Sequence, residues 1–379
     1  MSQSKKKQIK SAKNKLILCT LLVCMLLGCV LTGCNKAPVI SYASNIEFDK
    51  ASLDTVPNNP YFDLKVPTYI TKIDGLYFIV DCYNNQVIYN ENLEEPLCYW
   101  SLMTNDIDMG HTIASDGVVY LIDDTERNRI LVMEKDKNAN GDDIFVPTGE
   151  FNEIGTRPHY IIYNEEDKTF YAWSSMTGEM YLFRTNPDAA NDTDDSNADS
   201  NSKDADDSKT NSESNNTGDS TIKENKKVFL SEIKKIDELD GFYVRSFTII
   251  GTKIYFVSGN GNIIEANLDD FEITNHFKVP DELFGMVQLE KIEDYYYITV
   301  STDILANQDA ATIIRTRDLA GLVNGEYEDV YDNFIGGGTP YSITKIDDDY
   351  YLCEHRIPGH SIWKFTVKDN EITDVKTLY

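Results

Sequence analysis

Histidine is scarce in this 379-residue chain, and four of its five copies recur in two settings. His111 and His159 each open a short apolar run, in Gly110-His111-Thr112-Ile113 and Pro158-His159-Tyr160-Ile161. His355 and His360 share one turn-like stretch, Glu354-His355-Arg356-Ile357-Pro358-Gly359-His360-Ser361. Neutral imidazoles gathered from distant segments can ligate zinc, or orient a ligand without metal. Equally, they can satisfy backbone groups where buried strands begin. Only His276 stands apart.

A second candidate is Asp136-Lys137-Asn138-Ala139-Asn140-Gly141-Asp142-Asp143, which fits the first half of a calcium loop. Asp136, Asn138, Asn140 and Asp143 would supply the oxygens, with glycine at the sharp turn. The twelfth position holds Pro147 where a bidentate glutamate is required, so an Asn-Gly hairpin is the favoured reading. Asp123, Asp124 and Asp303 lie near turns where they could assist a metal or sugar hydrolysis, but hydrogen bonding to turn backbone is their expected work. There is no G-x-S-x-G elbow, P-loop or H-E-x-x-H.

What positions these residues is a repeat. Six units each run strand, tight turn, strand, turn, strand, and begin at Pro67, Gly110, Pro158, Val244, Met286 and Pro340. Gly, Asn and Asp at fixed offsets, as in Asp74-Gly75 and Asp116-Gly117, supply the positive φ that hairpins need. Six such units predict an all-β fold, a six-bladed β-propeller of four-stranded antiparallel blades, because radial repetition protects sheet edges. The blades are expected near 67–105, 106–155, 156–240, 241–281, 282–335 and 336–379. Residues near Ile46 to Phe48 are expected to close the ring against the last blade, and Ile372 to Leu378 to supply one strand there. In propellers, the first-strand starts and the turns between strands two and three share a face. Aligning the units therefore places Tyr69, His111, His159, Arg245, Gln288 and Tyr341 around the channel mouth, joined by Glu354, His355, Arg356 and His360.

Address is written at the N-terminus. Lys5, Lys6, Lys7, Lys10, Lys13 and Lys15 precede an apolar run from Leu16 to Leu31, too short for the roughly 20 residues of a membrane span. It ends in Leu31-Thr32-Gly33-Cys34, which resembles the bacterial lipobox. The reading is a signal peptide over 1–33, a linker over 34–45 after a lipidated Cys34, and the propeller over 46–379. Such a chain is held at the outer face of the cytoplasmic membrane by its acyl chains. The whole chain carries a net charge of −28, and removing the signal deepens it. That argues against nucleic acid as a partner. From Asp188 to Glu224 the chain is polar, acidic and free of aromatics, and is expected to be disordered. After the signal and Cys34, only Cys82, Cys98 and Cys353 remain, which is not a disulfide framework.

Asp124-Thr125-Glu126-Arg127-Asn128-Arg129-Ile130-Leu131-Val132 resembles the NHL repeat. More broadly, residues 67 to 369 resemble a group of six-bladed, NHL-like propeller lipoproteins of anaerobic low-GC Gram-positive bacteria. Gly110-His111-Thr112-Ile113, Arg157-Pro158-His159-Tyr160, Gly338-Thr339-Pro340-Tyr341 and the stretch Glu354 to Ser361 carry that resemblance. It implies fold and address and brings no activity. At the level of fold alone, NHL-type amidating lyases are similar, and there histidines from several blades hold zinc. Three functions follow as expectations: a monomeric surface lipoprotein binding a peptide, glycan or protein partner at the histidine face; a metal-dependent lyase or hydrolase at that face; or a structural envelope protein.

Overall fold

The computed structural model describes residues 40–43, 55–186, 227–302, 311–335, 337–357 and 359–379. The expectations for the signal, for Cys34, for Ile46 to Phe48, for Asp303 and for 188–224 lie outside the described residues.

Six antiparallel sheets each contain four strands consecutive in sequence, and the second carries one further strand from the start of the chain. Their innermost strands are Pro67–Ile73, Ile113–Ser115, Pro158–Asn164, Val244–Ile250, Met286–Ile292 and Thr339–Ile346. Each touches the next, and the last touches the first, so the sheets form a closed six-bladed wheel. Turn chemistry explains the local pattern. Ile73 and Leu76 pair across Asp74-Gly75, whose φ values of 50° and 83° suit a two-residue hairpin that follows strand twist.

Burial is greatest in the second strands and falls toward the outer edge. The second strands, such as Leu76–Asp81 and Thr169–Ser174, are buried along nearly their whole length, whereas the outer strands Val228–Lys235 and Ile273–Lys278 are largely exposed. Aromatic rings fill the wedges between blades. Trp173 of blade three meets Phe256 of blade four at 4.7 Å, and Phe78 of blade one meets Tyr120 of blade two at 5.6 Å. Burying one such side chain contributes about 2–3 kcal/mol.

A hydroxyl latch spans every blade junction. Thr68 Oγ1 donates to His111 O at 2.8 Å, and Thr112 Oγ1 accepts from Ile161 N at 2.8 Å. Ser175 Oγ donates to Val244 O and Ser246 Oγ to Val287 O, at 2.8 and 2.6 Å. Thr299 Oγ1 donates to Tyr341 O, and Ser342 Oγ returns to Thr68 O, both at 2.7 Å. These bonds exist because the innermost strands leave backbone groups facing the next blade rather than a ladder partner, and buried groups require partners.

The last blade has its own outer strand, Glu371–Thr377, in the segment expected to supply one there, and the described lead-in strand Ser41–Ala43 pairs with Asp143–Asn152 at the outer edge of blade two. Between the first and last blades, Trp100 Nε1 donates to the Tyr379 hydroxyl at 3.0 Å. Cys82 begins a 3-10 turn, Cys82–Asn84, directly after the strand Leu76–Asp81. Cys82 and Cys353 are buried, and all three cysteines of the wheel are free thiols.

Candidate functional site at the channel mouth

One device recurs at the start of the innermost strands. In blades one, three, four and five the pairing register slips at the second residue of the innermost strand, and in blade six at the third, a β-bulge that skips Thr68, His159, Arg245, Val287 and Tyr341. A bulge leaves its extra residue unpaired and re-aims its side chain. His159, Arg245, Tyr341 and Thr68 thereby line a single cavity of about 180 Å³ at the mouth, together with His111, His355 and Arg356. Blade two reaches the same end differently. Asp123, fully buried, accepts the backbone N–H of His111 at 2.9 Å and of Thr112 at 2.6 Å, standing in for a strand partner.

The bulge also decides which expected residues are absent from the cavity. Tyr69 and Gln288 sit one position later, paired with Val80 and Thr299, and a one-residue shift turns a side chain away. They lie below the mouth and fill the channel: Tyr69 packs edge-on to Tyr160 at 6.3 Å, and Gln288 Nε2 donates to the Tyr160 hydroxyl at 3.1 Å. Glu354 is buried within blade six, where it accepts from the Tyr331 hydroxyl at 2.6 Å and Trp363 Nε1 at 2.7 Å. His360 lies beside the Trp363 ring at 5.4 Å. Of the ten face residues expected, six reach the cavity and these four do not.

Sequence reasoning passed over Arg157, Tyr243 and Cys82, which also line the cavity. Arg157 and Tyr243 immediately precede innermost strands, so widening the aligned positions by one or two residues would have found them. The Ser301 and Thr302 that follow the second strand of blade five complete the wall.

His111 and His159 stack with ring centroids 3.7 Å apart and planes inclined by 24°. Both are buried, and desolvation holds both well below the usual histidine range, His111 at about 3; Arg245 and Arg157 add to the effect on His111. A backbone hydrogen bond fixes the tautomer of His159. His159 Nδ1 faces the Arg245 carbonyl oxygen at 2.8 Å and must carry its proton, leaving Nε2 to accept from the Tyr341 hydroxyl at 3.4 Å. His111 Nδ1 lies 2.9 Å from Thr125 Oγ1, a hydroxyl that also faces Pro158 O at 2.8 Å and Asp123 Oδ2 at 3.2 Å. His111 Nε2 is left facing Cys82 Sγ at 3.8 Å, and burial keeps that thiol protonated.

This arrangement does not fit zinc. Parallel rings point their nitrogens side by side rather than at one ion, and all four nitrogens have protein neighbours. Among the described residues no three His, Cys, Asp or Glu side chains converge on a metal position. The calcium-loop candidates are likewise consumed by a hairpin. Asn138 Oδ1 accepts from the backbone of Asn140 and Asp142, both at 2.9 Å, and Asp143 pairs with Lys135 at 2.9 Å and with Lys137. Asp136 tops the strand Arg129–Lys137 beside this turn. Asp124, too, serves a turn, accepting Asp108 N at 2.9 Å and Arg129 Nε at 2.7 Å.

Larger hollows lie elsewhere on the wheel. A cleft of about 600 Å³ between blades three and four is walled by exposed loop residues such as Glu166, Asp167 and Asp269 and gathers nothing from the axis. A groove of about 550 Å³ beside the mouth shares Arg356 with it and is lined by Phe62, Leu64 and Leu97.

No family model and no curated protein matches the chain. Solved structures do. A protein of Bacteroides uniformis provisionally described as a 6-phosphogluconolactonase aligns over 82% of this chain and 85% of its own, at 12% identity and a TM-score of 0.50. A Bacteroides fragilis protein with the same provisional description aligns over 82% and 84%, at 13% identity and a TM-score of 0.52. A streptogramin B lyase aligns over 86% and 87%, at 12% identity and a TM-score of 0.48. The likeness is one of fold. At such identities it carries the propeller architecture and nothing about substrate.

Proposed function

We propose that this protein is a ligand-binding propeller, tethered by lipid on Cys34 to the outer face of the cytoplasmic membrane, with the mouth of its channel as the binding site. One observation carries the reading. All six blades contribute to a single cavity: Thr68 and Cys82, His111, His159, Arg245, Ser301, and Tyr341 with His355 and Arg356. Polar and aromatic groups that converge on one concavity can fix the orientation of a small ligand. Below it the channel is filled by Tyr69, Tyr160 and Gln288, so the mouth is a cup and not a passage.

Binding is favoured over hydrolysis or elimination because most groups at the mouth that could attack are engaged. The Cys82 thiol is protonated, the stacked His111 and His159 have their ring nitrogens engaged, and Asp123 is occupied by backbone and hydroxyl donors, which leaves His355 as the one unengaged imidazole lining the cavity. The lipobox-like Leu31-Thr32-Gly33-Cys34 behind a charged and apolar leader supports the address.

The test is a thermal-midpoint screen of glycans and peptides on the purified full-length protein, repeated with His355→Ala and Tyr341→Ala. A ligand whose stabilisation disappears in both variants is expected. Stoichiometric zinc in untagged protein, lost in a His111→Ala, His159→Ala double variant, would replace this reading with the metal-dependent one. For the address, Cys34→Ala is expected to move the protein from the membrane fraction into the medium; unchanged membrane retention refutes lipid tethering at Cys34.

A further inference from the structure

We propose that the mouth takes an anion, a carboxylate or phosphate group of a small solute, held among Arg157, Arg245 and Arg356. The inference rests on the reading of the mouth as a ligand site and names the chemical class of the ligand.

Three guanidinium groups from blades three, four and six line one small cavity in a chain whose net charge is −28. None of the described residues lining that cavity is a carboxylate. Nor are the arginines neutralised from behind. Arg157 meets Glu126 at 2.8 Å on the rim, where both side chains are more than a third exposed and the pairing is weak. Arg245 donates through Nη1 to the neutral Gly285 carbonyl at 3.1 Å and lies over the Tyr243 ring at 5.7 Å.

Unmet hydrogen-bonding capacity collects in the same side chains. Arg157 Nε, Arg245 Nε and His355 Nδ1 are buried and have no partner among the described residues. Unpartnered buried polar atoms are uncommon, and these three belong to residues that line one cavity. The local field agrees. Desolvation first, then Arg356 and Arg245, push His355 down to about 4, so it stays neutral and adds a hydrogen bond without adding charge. Gathering like charges in a half-dry cup costs free energy that a bound anion relieves, and guanidinium forks match planar carboxylate and phosphate oxygens. The size of the cavity, about 180 Å³, suits a compact head group.

Calorimetric titration of the full-length protein with inorganic phosphate, glucuronate and glucose tests the inference. At least one anion is expected to bind saturably with a Kd of about 1 mM or tighter, and glucose to give no saturation. Whichever anion binds identifies the source of the negative group. Arg245→Gln and the exposed Arg356→Glu are each expected to weaken that binding at least tenfold, with the thermal midpoint monitored to show that both variants fold. Anion binding no tighter than that of glucose overturns the proposal, as does binding that both variants retain. Glucose binding that survives Arg245→Gln but is lost in Tyr341→Ala would keep the mouth as a ligand site while removing its anionic class. Anion binding that no mouth substitution disturbs would remove both.

Discussion

Gln288 ties three blades together across the axis: its Nε2 donates to the Tyr160 hydroxyl of blade three at 3.1 Å, and its Oε1 accepts Ile343 N of blade six at 2.6 Å. Because the side chain springs from blade five, a single amide bridges strands that share no ladder. Replacing it strands two buried groups. Gln288→Ala is expected to cost about 2–4 kcal/mol, read as a lowered denaturant midpoint, through the cavity it leaves and the unpaired hydroxyl and amide. A midpoint within about 0.5 kcal/mol of the parent would show that the tie does not hold the wheel together.

The mouth histidines should be silent in the physiological range. With His111 near 3 and His159 also far below its ordinary value, their ring resonances are expected not to titrate between about pH 5 and 8. His159 should show the tautomer protonated at Nδ1. The linkage has a fixed sign: below about pH 6.5 the unfolded chain takes up protons that the folded one refuses, so stability falls as pH drops. The expected loss is about 1.4 kcal/mol per pH unit for each such ring. A mid-range titration of either ring would contradict the neutral stack.

Glu290 carries the opposite dependence. It lies near Tyr69 and Tyr160, and desolvation pushes its carboxyl up to about 8, with Lys345 pulling the other way. Between about pH 4.5 and 8 the folded protein holds a proton that the unfolded chain has released, so this group makes stability fall as pH rises. Glu290→Gln should flatten that part of the profile and raise stability at pH 8 by roughly 2 kcal/mol. An unchanged slope above pH 6.5, where the histidines contribute nothing, would show that the carboxyl is hydrated and ordinary.

The hairpin at Asn138 to Asp143 should behave as a turn. Gly141 adopts φ +86°, and its N–H donates to Asn138 O at 3.0 Å. Gly141→Ala is expected to cost about 1 kcal/mol, because a side chain is strained at positive φ. Millimolar calcium is expected to leave the thermal midpoint unmoved in parent and variant alike. A calcium-dependent rise abolished by Asp143→Asn would restore the metal loop.

How far the sequence reaches can be read from particular residues. Asp74-Gly75 and its counterparts announced each hairpin, since few residues tolerate positive φ, and their spacing counted six units. Alternating apolar and aromatic runs such as Leu76 to Val80 and Lys253 to Val257 made those units strands. That much is local chemistry, repeated often enough to be unambiguous. The gathering of His111, His159, Arg245 and Tyr341 also followed, since a wheel brings equivalent positions together.

What the tertiary structure decided is register to a single residue. Nothing in Pro67-Thr68-Tyr69 or Met286-Val287-Gln288 marks the second residue as bulged, because the slip answers to the neighbouring blade's hydroxyl latch and not to local preference. That slip put Thr68 in the cup and sent Tyr69 and Gln288 down to stop the channel. Likewise, only folding could reveal that the two histidines lie flat on one another with their nitrogens occupied. Side chains converge on a metal or stack beside it according to angles fixed by packing, and those angles are set by contacts between blades far apart in the chain.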